Sequence, residues 1–214
     1  MGYKIKYSWL PVPEGPYSPL YEVVEFKHSI EPFEVYRGRY VRPEDELPPT
    51  TPATTERNIN EILSGLEKGS TVLSLGAGHS YFCNCLVKKY PSMKVTSLDI
   101  VEEASIGLVK EVDFLKVDIL KEDIPGKYDY VFCSHTMEHF TRDEIFNEIL
   151  PKVVDITMKA FIVLVPYADS WAGEPNHKSR FYENDEFAAL SSRYKMLGEH
   201  EIAYWIEVNN YGNR

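Results

Sequence analysis

The chain is poor in cysteine, in positive charge and in long apolar runs, and each shortage argues against a class of protein. Its three cysteines do not suggest a disulfide framework, so free thiols in a reducing cytoplasm are expected. A formal net charge of -10 argues against a nucleic-acid groove, because phosphate binding needs clustered lysine and arginine. No apolar run is long enough to span a bilayer, and the first residues lack the apolar core of a signal peptide. We therefore expect a cytoplasmic protein that binds neither nucleic acid nor membrane.

Residues 1–53 differ in composition from the rest of the chain, being rich in tyrosine, proline and glutamate. Aromatic and β-branched residues are frequent in three short segments, which we expect to be extended: Lys4–Trp9, Tyr21–Phe26 and Phe33–Tyr40. We predict an N-terminal arm or lid over residues 1–53 and one folded domain over residues 54–214. The arm could cover a sheet edge of the domain, or it could supply aromatic walls to a substrate pocket. The sequence favours neither role.

From residue 54 onward, apolar segments with strand character alternate with segments of helical periodicity. Strands are expected at Thr71–Leu75, Lys94–Asp99, Phe114–Asp118, Tyr128–Cys133 and Ala160–Val165, with two closing strands at Tyr194–Glu201 and Ala203–Asn209. Helices are expected at Thr54–Leu66, Tyr81–Lys89, Glu102–Glu111, Arg142–Lys159 and Asp185–Ser192, the last capped by Asn184. Strands separated by helices of this length form a mostly parallel α/β sheet with right-handed crossovers.

The first of these strands runs directly into Gly76-Ala77-Gly78, and a helix begins after Ser80. A strand that ends in Gly-x-Gly and turns into a helix is typical of the nucleotide-binding corner of an α/β sheet. A P-loop is excluded because no Gly-Lys pair closes the loop, and the dinucleotide fingerprint needs a third glycine where Tyr81 stands. The spacing Gly-x-Gly-x-Gly, with Ser80 as its small third residue, instead indicates a site for S-adenosylmethionine.

Two aspartates are expected beside this corner. Asp99 ends the second predicted strand, where a carboxylate can accept hydrogen bonds from both ribose hydroxyls. Asp118 ends the third predicted strand, where it can accept a hydrogen bond from the exocyclic amine of adenine. Because parallel strands present their carboxyl ends at one edge of a sheet, both acids and the glycines should lie together. The predicted cofactor is S-adenosyl-L-methionine, and three further residues complete its predicted site: Ile100, Ile119 and Ser134.

These residues resemble a class I S-adenosylmethionine-dependent methyltransferase, in particular its type 11-like small-molecule branch, over about residues 54–209. The resemblance rests on Leu73–Ser80, Tyr130–Ser134 with the following Glu138-His139-Phe140, Val163–Pro166, and His177–Tyr182. It implies a Rossmann-like, seven-stranded, mostly parallel sheet with helices on both faces and an antiparallel C-terminal strand pair. Ser74 replaces an acid of the family pattern and Ser80 replaces a glycine. These two departures leave undecided whether the cofactor site is weakened or non-catalytic.

Four residues are candidates for the chemistry of such a site: His135, Glu138, His139 and His177. Methyl transfer from a sulfonium needs an aligned, desolvated nucleophile, and a hydroxyl nucleophile gains from a nearby general base. His135 follows the fourth strand and His177 lies in the loop after the fifth, so either could face the substrate. For Glu138 and His139 we favour a structural role, opening the next helix and tying the loop to the core, over direct catalysis.

The segment His135–His139 also matches the His-x-x-Glu-His pattern of one zinc-peptidase class. Zinc binding there needs both histidines on a helix, whereas this pattern begins at the end of a strand, so no metal is assigned. Ubiquinone-pathway O-methyltransferases, which resemble the same branch, hold a divalent ion with acid-x-x-Glu-His, but position 135 is histidine here. The loop at residues 167–177 could close over an acceptor through Trp171 and Glu174, or Trp171 could pack against the arm.

The sequence leaves three functions open. The first is methyl transfer to an oxygen or nitrogen nucleophile of a small molecule, such as a metabolite or a glycan or lipid precursor. The second is a non-catalytic module that binds S-adenosylmethionine, which the serine at position 74 favours. The third is a protein methyltransferase, for which the acidic balance favours a basic protein over RNA as acceptor. We expect the first function, with a small-molecule acceptor as partner, and the oligomeric state stays open.

Overall fold

The computed structural model describes residues 2–8, 20–26, 60–63, 65–78, 81–168 and 177–208. The chain divides into two compact units, Met1–Leu47 and Pro48–Arg214. In the first unit, strands β1 (Gly2–Ser8) and β2 (Leu20–Phe26) pair in the antiparallel sense. Both correspond to predicted extended segments, whereas Phe33–Tyr40 lies outside the described residues. The boundary predicted after residue 53 and the role of an arm or lid remain predictions.

The described residues of the second unit form one seven-stranded sheet. Its strands are β3 (Thr71–Leu75), β4 (Lys94–Asp99), β5 (Val112–Lys116), β6 (Tyr128–Ser134), β7 (Thr157–Pro166), β8 (Arg193–Leu197) and β9 (Glu201–Glu207). In the described residues these seven strands have the order β5-β4-β3-β6-β7-β9-β8. The pairs among β3 to β7 are parallel, whereas β9 pairs antiparallel with both β7 and β8. The predicted mostly parallel sheet with an antiparallel C-terminal strand pair is confirmed.

The helical segments in the described residues of this unit are short. They are α1 (Tyr81–Lys89), α2 (Leu150–Ile156), α3 (Glu186–Leu190), a π-helical turn at Glu144–Ile149 and 3₁₀ turns at Glu102–Ser105 and Met137–His139. Residues 60–62 are also helical. In the part of the chain that the structure describes, no helix has the length and apolarity that a membrane crossing requires.

Apolar side chains pack on both faces of the sheet, as the alternation of a strand requires. On one face, residues of β7 pack with those of the π-helical turn and α2; these buried residues are Phe161, Val163, Val165, Ile145, Ile149 and Val153. On the other face, the alternate residues of β7 pack with α1; these are Ala160, Ile162, Leu164, Cys83 and Leu86. Helices therefore cover both faces, and the ends of the strands are left to form the edge where the candidate site lies.

The helix predicted at Arg142–Lys159 is wrong in both its regularity and its end. Pro151 lies within it and has no N–H for the usual bond to the fourth preceding carbonyl. The preceding turn is π-helical, and the Leu150 N–H donates to the carbonyl of Ile145, five residues back. Strand β7 then begins at Thr157, earlier than predicted.

Two other predicted features differ from the structure for local reasons. The helix predicted at Glu102–Glu111 is only a 3₁₀ turn, because Gly107 has a φ of 85° that ends a right-handed helix. The N-terminus of helix α3 is capped by Asp185 rather than by Asn184. The Asp185 carboxylate accepts a hydrogen bond from the Ala188 amide at 3.0 Å.

Candidate functional site

The glycine corner follows β3 directly. Gly76 and Gly78 have φ values of 65° and 57°, a backbone conformation that favours glycine. Between them, the Ala77 N–H donates to the Leu98 carbonyl at 3.0 Å, which holds the loop against β4. A Cβ atom added to Gly76 would lie 2.3 Å from Oγ1 of Thr136. Gly76 is thus required by close packing against Thr136, a residue that the sequence did not single out.

Asp99 closes the same loop. Its side chain is buried, and Oδ2 accepts a hydrogen bond from the Gly78 amide at 3.0 Å while Oδ1 accepts one from the Val101 amide at 3.2 Å. Burial raises the pKa of Asp99 above its ordinary value, and the amides of Gly78 and Val101 oppose that shift. The carboxylate is therefore held in place by the backbone of the corner, with lone pairs left for a further donor.

Asp118 lies next to Asp99 along the sheet edge. The Val117 N–H donates to the Asp99 carbonyl at 3.0 Å, so Asp118, the next residue, follows beside the end of β4. Asp118 was predicted to be the last residue of the strand that corresponds to β5. β5 instead ends at Lys116, so Asp118 lies beyond the strand, at the start of the following turn. Its carboxylate accepts a hydrogen bond from the Leu120 amide at 3.1 Å and pairs with Lys121 at 3.0 Å.

The remaining predicted cofactor residues differ in exposure. Ala77, Ile100 and Ser134 are half-buried, whereas Ile119 is buried and belongs to the apolar core. Ser80 lies outside the described residues.

Ser74, where the family pattern has an acid, is buried in β3. Its hydroxyl lies against the Cys83 thiol on α1. Burial raises the pKa of that thiol to about 11, and hydrogen bonds from Ser74 and Ser97 oppose the shift. Ser74 thus faces the apolar core around α1.

His135 is held between two carboxylates at the end of β6. It has a φ of 51°, and its backbone N–H donates to the Leu164 carbonyl at 2.9 Å. Its Nε2 lies 2.9 Å from Oε1 of Glu201, and its Nδ1 lies 3.5 Å from Oε1 of Glu138. Burial lowers the pKa of His135, but the two carboxylates outweigh burial and raise it to about 10. His135 is therefore protonated at neutral pH and is not available as a general base.

Glu201 was not predicted as a site residue. The sequence placed it at the end of a closing strand, whereas it is the first residue of β9 and lies opposite Pro166 of β7. That antiparallel pairing brings Glu201 to the same edge as the carboxyl end of β6. No local sequence signal could have found this contact, because it depends on the register between two distant strands.

Glu138, His139 and His177 form a second group at this edge. The Glu138 carbonyl accepts hydrogen bonds from the amides of Lys178 at 2.7 Å and Ser179 at 3.2 Å, so the loop after β7 is tied to the turn that follows β6. The rings of His139 and His177 have centroids 5.2 Å apart and are inclined by 71°. The ligand atoms of all three residues lie within 4.8 Å of one another.

The structure thus brings the four predicted catalytic residues into one neighbourhood, with His135 joined to the others through Glu138. The segment His135–His139 runs from a strand end into a 3₁₀ turn, so it lacks the helix of the peptidase pattern. Trp171 and Glu174, which could close over an acceptor, lie outside the described residues.

Comparison with known proteins supports the fold. No protein-family model matches the chain, and no curated protein sequence matches it. An S-adenosylmethionine-dependent methyltransferase from Aquifex aeolicus matches with a TM-score of 0.55 and 21% identity, over 72% of this chain and 89% of that protein.

Two further solved structures match over 72% of this chain. Mitomycin 7-O-methyltransferase matches with a TM-score of 0.56 and 17% identity. Human N-acetylserotonin methyltransferase in complex with S-adenosylmethionine matches with a TM-score of 0.53 and 16% identity. The chain covers 54% of each of these two proteins, about half their length. At such identities the comparisons show that the chain shares its fold with these three methyltransferases.

Proposed function

We propose that the chain is an S-adenosylmethionine-dependent methyltransferase that transfers a methyl group to an oxygen or nitrogen nucleophile of a small molecule. The observation that carries this proposal is the Asp99 carboxylate bound to the Gly78 amide, at the sheet edge where Asp118 also lies. Fold likeness to methyltransferases supports it, including one in complex with S-adenosylmethionine. A cytoplasmic location, expected from composition, is part of the same proposal.

The residues of the corner fit the cofactor chemically. Gly76, Ala77 and Gly78 form a half-buried backbone without bulky side chains. The remaining lone pairs of Asp99 can accept hydrogen bonds from ribose hydroxyls. Asp118 can accept a hydrogen bond from the adenine amine once the exposed Lys121 side chain moves away from its carboxylate. Four further contacts belong to the proposal: Ile100 and Ile119 as apolar walls for the adenine, and Ser80 and Ser134 as polar neighbours. Bound there, S-adenosylmethionine would supply an electrophilic methyl group on a sulfonium.

The acceptor side of the proposed site is formed by the neighbourhood of His135, Glu138, His139 and His177. His135 already carries a proton and is paired with Glu201, so we assign it a positioning role between β6 and β9. Glu138, His139 and His177 are left to hold or activate the acceptor. These groups need only align and desolvate the nucleophile, because the cofactor carries the reactive carbon.

Electrostatics argues against a nucleic-acid acceptor, and a small acceptor is proposed from the likeness to mitomycin 7-O-methyltransferase and N-acetylserotonin methyltransferase. A net charge of -10 disfavours a polyanion such as RNA as the acceptor. The test is to incubate the purified full-length chain with a cell extract and S-adenosylmethionine tritiated on its methyl group, and to separate the products by size. We expect the label in the low-mass fraction, and we expect Asp99→Asn to reduce it strongly. Label in the protein fraction would support the protein methyltransferase, whereas cofactor binding without any label would support the non-catalytic module.

A further inference from the structure

The group formed by Glu138, His139 and His177 is assembled from two separate segments. Glu138 and His139 lie in the 3₁₀ turn after β6, whereas His177 lies in the loop after β7. The hydrogen bonds from the Lys178 and Ser179 amides to the Glu138 carbonyl fix these segments together beside His177. The proximity of the three side chains is therefore built into the backbone.

The carboxylate of Glu138 has fewer partners than a buried charge needs. Its side chain is 1% exposed. Within the described residues, neither of its oxygens accepts a hydrogen bond of ordinary geometry, and its ion pair with His135 is long, at 3.5 Å from Oε1 to Nδ1. Burying a carboxylate in this way costs free energy unless another group binds it. Its ligand oxygen lies within 4.8 Å of ring nitrogens of both His139 and His177, so it points toward the group.

We propose that Glu138, His139 and His177 form a binding site for a divalent transition-metal ion. Two imidazoles and one carboxylate are a donor set that suits zinc, iron or cobalt better than magnesium or calcium. Ligand atoms around such an ion lie roughly 3 to 3.5 Å apart, since each bond is about 2.1 Å long. The observed spread of up to 4.8 Å therefore needs only small side-chain rotations, which the half-buried rings of His139 and His177 allow.

Such an ion would also narrow the acceptor class, an extension that rests on the proposed function. Three protein ligands leave open positions, at which an acceptor hydroxyl can bind and lose its proton to water. The oxygen lone pair would then form the O–CH₃ bond as the methyl–sulfur bond of the sulfonium breaks and its electron pair returns to sulfur. A hydroxyl gains from the ion because it must lose a proton before it attacks, whereas a neutral amine would be bound through the lone pair that it needs for attack. The inferred acceptor is therefore a hydroxyl rather than an amine.

The test is metal binding by the purified full-length chain after removal of bound ions. CoCl₂ is titrated with visible absorption as the readout, and ZnCl₂ with calorimetry. We expect a single-site isotherm for the wild type and a loss of affinity of about tenfold or more in His177→Gln and Glu138→Gln. The matched controls His200→Gln and Glu183→Gln change exposed residues and should bind like the wild type. If Glu138→Gln fails to fold, His177→Gln still decides the test. The His177 side chain is half-buried in a loop, so its replacement should leave the fold intact.

The outcomes separate the two proposals. No cobalt or zinc binding by the wild type, or equal binding by His177→Gln, would overturn the metal site. Binding of S-adenosylhomocysteine is measured on the same samples, and its absence alongside metal binding would refute the methyltransferase but leave the metal site standing. In the tritium assay, label that forms equally before and after EDTA treatment would refute a role of the ion in transfer.

Discussion

The contact between Gly76 and Thr136 constrains the corner of the sheet at the scale of single residues. A Cβ at Gly76 would lie 2.3 Å from the Thr136 hydroxyl oxygen, and its φ of 65° is unfavourable for other residues. We predict that Gly76→Ala lowers the free energy of unfolding by about 3 kcal/mol or more, about 1–2 from the backbone and the remainder from overpacking. Urea unfolding followed by circular dichroism measures the change.

Gly107 offers a matched control for this prediction. It has a φ of 85°, but a Cβ there would meet nothing within 4 Å. Gly107→Ala should therefore cost only the backbone contribution of about 1–2 kcal/mol. Equal losses in the two variants would contradict the packing contact with Thr136.

The residues that sequence reasoning found and missed at the site differ in how local their contacts are. Gly76, Gly78 and Asp99 belong to a strand–turn–helix pattern with known spacing, so the sequence predicts that they lie close together. Thr136 contacts a carbonyl 60 positions away and Glu201 contacts a side chain 66 positions away. Such contacts depend on strand order and register, which no short motif contains.

At the scale of elements, Asp129 joins the starts of β3, β6 and β7. Its carboxylate accepts from the Thr71 amide at 2.9 Å and pairs with Lys159 at 3.1 Å. The Thr71 amide, followed by Lys159, lowers the pKa of Asp129 below its ordinary value, so the ionised form stabilises the fold. We predict that Asp129→Asn lowers the free energy of unfolding by about 1–2 kcal/mol at neutral pH.

This contribution should depend on pH in a defined direction. A carboxyl with a lowered pKa in the folded state stabilises above its unfolded pKa of about 3.9, and that stability is lost as the pH falls through the folded value. Urea unfolding is measured at several pH values. The difference in free energy of unfolding between the wild type and Asp129→Asn should shrink below about pH 4. Asp123→Asn, which changes an exposed residue, is the control. A difference that stays constant with pH would contradict the ionised link.

The strands were more predictable than the helices, for a physical reason. β3 and β4 have the predicted bounds, because their apolar runs end at a glycine and an aspartate that also end the ladder. The segment from Glu144 to Ile156 has helical periodicity throughout, yet Pro151 divides it into a π-helical turn and α2. The spacing of apolar residues shows which face of a helix is buried, but it does not show whether the backbone hydrogen bonds are of the α or the π type.

At the scale of the whole molecule, the acidic balance restricts what the proposed enzyme can bind. A net charge of -10 gives long-range repulsion toward phosphate backbones. We predict no binding of a fluorescently labelled single-stranded RNA at near-physiological salt, measured by anisotropy. Binding that weakens steeply as salt is added would contradict this prediction and would favour an RNA acceptor.

The central claim is that the corner formed by Gly76, Gly78 and Asp99 binds S-adenosylmethionine, and calorimetry with S-adenosylhomocysteine tests it most directly. We predict micromolar binding by the wild type and a loss of about tenfold or more in Asp99→Asn, since a hydrogen bond to a charged group contributes about 1.5–3 kcal/mol. Asp113→Asn, which changes an exposed residue of β5, should bind like the wild type. A folded wild-type chain that releases no heat with either form of the cofactor would contradict the account.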